Sequence, residues 1–197
     1  MPSRLTLLAH AATRAQRDAV FAPAETPAEE AGLAQAARLA EIRALRKIDR
    51  LWTAPEVRAR QTADALAGAL GVEPHEDTAL ADLDVGAWQG RSLADLSAHE
   101  ADAVAAWLGD PEARPHGAES LAQLRARVAA WLEHIPIEGH TLAVTHPSVI
   151  RMAVAVVLEA PLPAFWRLDI APLSLTDLRW HHRWAVRATG VDTHDYR

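Results

Sequence analysis

Short apolar runs alternate with amphipathic stretches along this chain, and the alternation predicts its secondary structure. Residues 5–9, 48–52 and 141–145 have the length and the leucine-rich or β-branched composition of buried strands. Residues 173–180 and 184–189 predict a terminal hairpin. Between the runs, apolar positions recur every three or four residues, which predicts helices. These faces comprise Leu33, Ala36, Ala37, Ala40 and Ala44; Ala59, Ala63, Leu66 and Leu70; Leu121, Leu124, Val128, Trp131 and Ile135; and Val149, Met152, Ala153, Val156 and Val157.

Strands that alternate with helices predict the α/β class, here a three-layer αβα sandwich with a mostly parallel central sheet. Pro55 suits the first turn of the second helix, and residues 120–123 have the spacing of a capping box. Residues 11–27 are expected to be irregular. Residues 78–112 show little strand pattern and are expected to form a small inserted subdomain of loops and short helices. Residues 1–197 otherwise form one domain.

Composition and charge exclude some classes of function but do not select one. A net charge of -6 argues against a nucleic-acid partner, because phosphate backbones require a basic surface. The absence of cysteine excludes disulfides, thiolate catalysis and cysteine-ligated metals. The sequence shows neither an apolar run long enough to span a membrane nor a secretory signal, so a cytoplasmic protein without membrane association is expected.

Two histidines follow predicted buried strands and are the first candidates for chemistry. His10 ends the first apolar run and His146 ends the run at residues 141–145. Ligands of open α/β sheets bind at the carboxyl ends of parallel strands. A single histidine there is more often a satisfied structural residue, but two of them favour a functional site. Arg58 adds a cationic fork where a helix begins, and both the fork and the helix N-terminus favour an anion.

Five motifs in one order resemble those of the histidine phosphatase superfamily, the phosphoglycerate-mutase-like fold. The resemblance runs from Leu5 to about Thr189 and includes the intervals between motifs. Each motif alone is weak, whereas the ordered set is specific. The motifs are His10 with Thr13 after it; Thr53-Ala54-Pro55, then Arg58-Ala59 and Gln61-Thr62-Ala63; Gly86-Ala87-Trp88-Gln89-Gly90; Gly117-Ala118-Glu119-Ser120; and Val144-Thr145-His146.

The resemblance implies hydrolysis of a small phosphorylated metabolite through a phosphohistidine, with neither metal nor cofactor. His10 would be the nucleophile, and Arg58 and His146 would bind the phosphoryl group. Asp82 stands where the family has a glutamate that protonates the leaving oxygen, and Asp84 is the alternative acid. The sequence leaves assembly as a homodimer open.

The chain departs from the family pattern beside both histidines. The motif Arg-His-Gly is here Ala9-His10-Ala11, so a phosphate-binding arginine is missing. Arg14 and Arg17 are the candidates to replace it, with solvated loop charges as the alternative. Thr13 and Gln16, the latter in place of an asparagine, are further candidate phosphate ligands. Pro147 has no N–H to offer an oxyanion, and Ser148 is expected to supply its hydroxyl and amide instead.

These departures keep two other functions open beside phosphatase activity. The chain is either a catalytically weakened or reassigned member that binds a phosphorylated or other anionic ligand, or an enzyme that acts on a non-phosphate substrate. Both alternatives retain the fold and the two histidines, so a test of phosphoenzyme formation on His10 separates them from the phosphatase.

Overall fold

Six strands form one sheet in the computed structural model, which describes residues 3–45, 47–136 and 138–192. The order across the sheet places the third and sixth strands at its edges, with the first and fourth in the middle. The strands are β1 (Arg4–Ala9), β2 (Arg50–Thr53), β3 (Pro74–Glu76), β4 (His140–Thr145), β5 (Leu175–Trp180) and β6 (Trp184–Val191), in the order β3-β2-β4-β1-β5-β6.

Strands β3, β2, β4 and β1 run parallel, and β5 and β6 are antiparallel to their neighbours. The predicted α/β class with a mostly parallel sheet is therefore confirmed. The register pairs Ala9 with Thr145, so β1 and β4 end side by side. The His10 amide extends this pairing by donating to the Thr145 carbonyl at 2.9 Å. Both strand-end histidines consequently lie at the same edge of the sheet.

Helices connect the strands and cover the sheet. Helices α2 and α3 pack on each other, as do α6 and α7. None of the helices in the described ranges is both long and apolar enough to cross a membrane. The helices are α1 (Arg14–Arg17), α2 (Glu30–Leu39), α3 (Val57–Leu70), α4 (Leu93–His99), α5 (Ala101–Gly109), α6 (Leu121–His134) and α7 (Pro147–Val157), with 3₁₀ turns at Arg43–Leu45, Thr78–Leu80, Gly86–Trp88 and Leu162–Arg167.

Several predicted boundaries were wrong, each for a local reason. Helix α2 ends at Leu39, so Ala40 and Ala44 lie outside it, and Ala44 is buried in a 3₁₀ turn. Pro55 precedes the N-cap of α3 instead of occupying its first turn. Ile135 caps α6 from outside the helix. Strand β3 was missed because three residues that begin with a proline and are mostly exposed carry no strand pattern.

Two clusters of buried apolar side chains stabilise the fold. The larger lies between the sheet and its helices, and β4 is buried along its whole length because both faces of the sheet are covered. The smaller lies within residues 78–112 and consists of Val85, Trp88, Leu96, Val104 and Trp107. Phe21 and Trp166 from outside this segment pack against it, and the inserted subdomain stays a prediction.

Gly86, in the third motif, has a backbone that strongly disfavours any side chain. Its φ is +45°, and a Cβ there would lie 2.4 Å from the His116 carbonyl oxygen. We expect Gly86→Ala to lower the free energy of unfolding by about 1–3 kcal/mol through backbone strain, with the clash adding to the loss. Urea denaturation measures the change.

Gly68→Ala is the matched control for this substitution. Gly68 lies inside α3 with nothing within 4 Å of an added Cβ. Alanine is favoured over glycine in a helix by about 1 kcal/mol, so this variant is expected to be more stable than wild type. Equal stabilities of Gly86→Ala and wild type would contradict the argument from strain.

Candidate active site

His10 is held in one tautomer by the backbone beside it. The side chain is 2% exposed, and its Nδ1 lies 2.8 Å from the Ala11 carbonyl oxygen. A carbonyl only accepts, so Nδ1 carries the proton and donates it, which leaves the lone pair on Nε2. The Ala11 amide in turn donates to Thr62 Oγ1 at 3.0 Å, which fixes the same peptide segment to α3. Nε2 is therefore the nucleophilic atom that this arrangement presents.

The environment of His10 keeps its imidazole uncharged. Burial, followed by repulsion from His146, lowers the pKa of His10 from 6.5 to about 3. An imidazole attacks an electrophile only when the attacking nitrogen is unprotonated. At neutral pH His10 consequently needs no deprotonation before it reacts.

His146 has the opposite character, although it is completely buried. It occupies the N-cap position of α7, and its ring centroid lies 5.0 Å from that of His10. Its Nε2 donates to Glu56 Oε2 at 2.7 Å, and its Nδ1 lies 3.3 Å from Asp82 Oδ2 without hydrogen-bond alignment. Burial alone would lower the pKa of His146, but Asp82 and Glu56 raise it. His146 is thus a buried imidazolium beside a neutral nucleophile.

Glu56 is a site residue that sequence reasoning missed. It is the N-cap residue of α3, and besides accepting from His146 it accepts the Asp82 amide through Oε1 at 3.0 Å. Burial would raise the pKa of Glu56, but the bond from His146 lowers it, so the carboxylate is charged. The available signal was an acidic residue three positions after β2, at the sheet edge where the histidines lie.

Arg58 lies in the first turn of α3, as predicted, and its side chain is buried. Its Nη1 donates to the Pro23 carbonyl at 3.0 Å and its Nη2 to Asp82 Oδ2 at 2.8 Å. The Thr62 hydroxyl donates to the Arg58 carbonyl, so this threonine ties Arg58 and the Ala11 segment together. The guanidinium is thereby fixed with one edge toward Asp82.

The Asp82 carboxylate contacts the side chains that the sequence predicts to bind the phosphoryl group. Ser148 Oγ donates to Asp82 Oδ1 at 2.6 Å, while Arg58 and His146 contact Oδ2. Burial would raise the pKa of Asp82, but His146, Arg58 and Ser148 hold it well below its usual range. The alternative acid, Asp84, accepts from the Gly86 amide at 2.9 Å. The structure therefore brings Asp82 to His146 and not Asp84.

Four other candidate ligands lie in the segment after His10, and the structure does not bring them to Arg58 and His146. Thr13 and Gln16 bond reciprocally in a capping box at the start of α1. Arg14 is 77% exposed and pairs with Asp18, while Arg17 is 61% exposed and pairs with Glu29. Their contact with phosphate stays a prediction that requires this segment to rearrange.

A cavity of about 320 Å³ adjoins the candidate site. Arg58, Asp82 and Ser148 line it, whereas the two histidines do not. Asp82 therefore touches both the cavity and His146, and its side chain is 35% exposed. Four aromatic side chains and one further arginine also line the cavity: Phe21, Trp107, Phe165, Trp166 and Arg151.

Neutralising Glu56 tests whether its charge maintains the imidazolium. In Glu56→Gln an amide oxygen still accepts from His146, but the negative charge is gone. The pKa of His146 is expected to fall, so phosphate binding is lost at a lower pH than in wild type. At pH 8 the affinity for inorganic phosphate is expected to drop about tenfold.

Titration of the His146 ring by NMR and competitive inhibition by phosphate measure these two changes. Glu76→Gln serves as the control, because Glu76 is exposed and pairs with Arg60 instead of His146. An unchanged His146 pKa in Glu56→Gln would contradict the assignment.

A neutral buried histidine, an imidazolium and an arginine lie together at the carboxyl edge of the parallel strands, an arrangement that suits binding of an anion beside a histidine with a free lone pair. The chain matches the family model of the histidine phosphatase superfamily (branch 1) over residues 5–191. It belongs to this superfamily, as the ordered motifs predicted.

Curated proteins are similar to most of this chain. Bifunctional protein Rv2228c of Mycobacterium tuberculosis is 31% identical over 183 residues, 89% of this chain and 50% of that protein. The chain thus spans half the length of the first curated relatives it matches. Adenosylcobalamin/alpha-ribazole phosphatase of Salmonella typhimurium is 27% identical over 172 residues, 85% of each chain.

A solved structure shows the same architecture. Mycobacterial glucosyl-3-phosphoglycerate phosphatase Rv2419c, in complex with VO3, superposes with a TM-score of 0.82 at 28% identity. The superposition covers 96% of this chain and 100% of that one.

Proposed function

We propose that this chain hydrolyses small phosphomonoesters through a phosphohistidine on His10. The observation that carries the proposal is the pairing of a neutral His10, fixed by the Ala11 carbonyl, with the imidazolium of His146 at 5.0 Å. A nucleophile and a fixed positive charge are the two elements that phosphoryl transfer requires of a protein. The partner is a small phosphorylated metabolite.

The reaction has two displacements at phosphorus. In the first, the lone pair of His10 Nε2 forms a bond to phosphorus while the ester P–O bond breaks and Asp82 gives its proton to the leaving oxygen. In the second, water attacks the phosphohistidine, Asp82 takes the proton from this water, and the P–N bond breaks. Arg58 and His146 stabilise the phosphoryl oxygens in both transition states. The sum is one ester and one water converted to an alcohol and phosphate.

Asp82 and the phosphoryl group compete for the same donors. Without substrate, Arg58, His146 and Ser148 surround the Asp82 carboxylate and hold its pKa low. A phosphoryl dianion that takes these donors removes the cause of the low pKa and adds a repulsive charge. The pKa of Asp82 then rises, so substrate binding itself loads this carboxyl with the proton that the leaving oxygen needs.

Turnover and trapping of the intermediate test the proposal together. The protein is incubated with 4-nitrophenyl phosphate and a panel of alkyl phosphates, and phosphate release is measured. Rapid quenching in alkali, followed by peptide mass spectrometry, is expected to locate phosphate on His10. Absence of turnover across the panel together with absence of phosphohistidine would favour the alternative of an anion-binding protein.

Two further sequence-based expectations extend this proposal: location in the cytoplasm, and an inserted subdomain at residues 78–112 that shapes substrate choice. The sequence leaves assembly as a homodimer open. The cavity supports the second expectation, because residues of this segment line it: Asp84, Val85, Gln89 and Trp107.

A further inference from the structure

Arg151 brings a positive charge into the cavity that the proposed reaction does not use. It lies one turn after Ser148 on α7, so the two side chains share one face of the helix. Both line the cavity, together with Arg58. Arg151 therefore brings a second arginine to the cavity that Arg58 lines.

The guanidinium of Arg151 has no hydrogen-bond acceptor among the residues that the structure describes. The Nε atom of Arg151 is completely buried and unpaired, and burial lowers the pKa of the guanidinium. Leaving such a donor unsatisfied costs free energy, and structures rarely retain one without a reason. Arg127, by contrast, is also partly buried and is paired with Glu119 and backbone carbonyls. The open donors of Arg151 thus distinguish it from a structural arginine of the same molecule.

The surroundings of Arg151 hold it in place without neutralising it. Its guanidinium carbon lies 5.8 Å from the ring centroid of Phe165, within the range of a cation–π contact. Asp169 and Asp82 raise the pKa of Arg151 electrostatically, and among the described residues neither forms an ion pair with it. The guanidinium is consequently available for an external oxyanion.

The remaining walls of the cavity fit a flat or apolar molecular body. Phe21, Trp107 and Trp166 line it, and the Trp107 and Trp166 rings meet edge to face at a centroid distance of 4.7 Å. The volume of about 320 Å³ is that of a site for a small molecule. A cavity lined by aromatic rings and by two arginines suits a substrate with an apolar or planar body and two anionic groups.

We propose that Arg151 binds a second oxyanion, a carboxylate or another phosphoryl group, carried by the leaving group of the substrate. This inference rests on the proposed phosphatase function and specifies its substrate class: small phosphomonoesters with an apolar or planar body and a second negative charge. Arg151 determines specificity and takes no part in the displacement at phosphorus.

Matched aryl phosphates differ in the charge of the para substituent, and comparison of wild type with variants on each substrate cancels differences in leaving-group acidity. The set is 4-methylphenyl phosphate, 4-carboxyphenyl phosphate and benzene-1,4-bisphosphate, which present a neutral group, a carboxylate and a phosphoryl group. Wild type is expected to favour one of the two charged substrates over the neutral one by about tenfold or more in kcat/KM. Comparison of these two shows which oxyanion the fork prefers.

Arg151→Met should abolish this preference and leave kcat/KM for the neutral substrate within about twofold of wild type, because methionine keeps the apolar packing. Arg151→Lys should retain part of the preference. Arg38→Met is the control for loss of a positive charge, since Arg38 is exposed at the end of α2. No preference in wild type, or an equal loss on all substrates in Arg151→Met, would overturn the proposal and leave the phosphatase function intact.

Binding of non-hydrolysable phosphonates tests the same inference without turnover. Calorimetry with benzylphosphonate and its 4-carboxy and 4-phosphonomethyl derivatives is expected to show the same order of affinities, and Arg151→Met the same loss. If no ester is hydrolysed, these affinities still decide whether Arg151 recognises a second anion. Equal affinities of wild type for the three phosphonates would count against it.

Discussion

Replacing His10 by alanine is expected to lower kcat about 10⁴-fold or more and to abolish the trapped phosphoenzyme. The covalent route disappears with the imidazole, and no neighbouring group replaces it. His146 is the nearest alternative nucleophile, but it is protonated and its nitrogens face Glu56 and Asp82. Stopped assays with 4-nitrophenyl phosphate and mass spectrometry of quenched protein measure both effects.

A fold control is needed because His10 is buried. Thermal unfolding of His10→Ala should show one cooperative transition, which separates loss of chemistry from loss of structure. His99→Ala removes an exposed histidine at the end of α4 and is expected to keep wild-type activity. Turnover of His10→Ala within tenfold of wild type would mean that the phosphoryl group is transferred without this nucleophile.

Replacing Asp82 by asparagine is expected to have two opposite effects. Loss of the general acid should lower kcat for alkyl phosphates by about 10²–10⁴-fold, because an alkoxide leaves poorly without a proton. The loss should be much smaller for 4-nitrophenyl phosphate, whose leaving group is stable as an anion. At a pH low enough to keep His146 protonated, affinity for inorganic phosphate should rise at the same time, since a neutral amide competes less strongly for Arg58 and His146.

Asp84→Asn is the matched control for both effects. Asp84 lines the same cavity and carries the same charge, but it bonds to the Gly86 amide instead of the phosphoryl ligands. It should change neither the dependence on the leaving group nor phosphate affinity by more than a few fold. An equal loss in Asp82→Asn for alkyl and aryl substrates would argue that Asp82 only positions its neighbours.

The fold was predictable because its signals are local. Buried parallel strands require continuous apolar runs, and β1 and β4 carry them. A strand that ends at a polar residue indicates where the edge of the sheet lies. His10 and His146 therefore predicted the location of the candidate site. The Ser120 capping box likewise predicted where α6 begins, and the structure contains both of its bonds.

The residues that the sequence did not reveal act through tertiary contacts. Glu56 matters because β2 and β4 end beside each other, which no pattern around Glu56 encodes. Arg151 interrupts the apolar face of a helix, and only the packed cavity shows that its donors are unpaired. The roles of Arg14 and Arg17 could not be predicted from the sequence. A long side chain on a loop extends either into a pocket or into solvent, and the sequence does not distinguish the two.

The bond from His10 to the Ala11 carbonyl also bears on how this site tolerates mutation. A peptide oxygen has no side chain to lose and does not titrate over the range in which proteins remain folded. No single substitution deletes the group that orients the nucleophile, and acidification does not neutralise it. Substitution of side chains around His10 therefore does not remove this acceptor, while exchange of the neighbouring carboxylates alters the charge of the site.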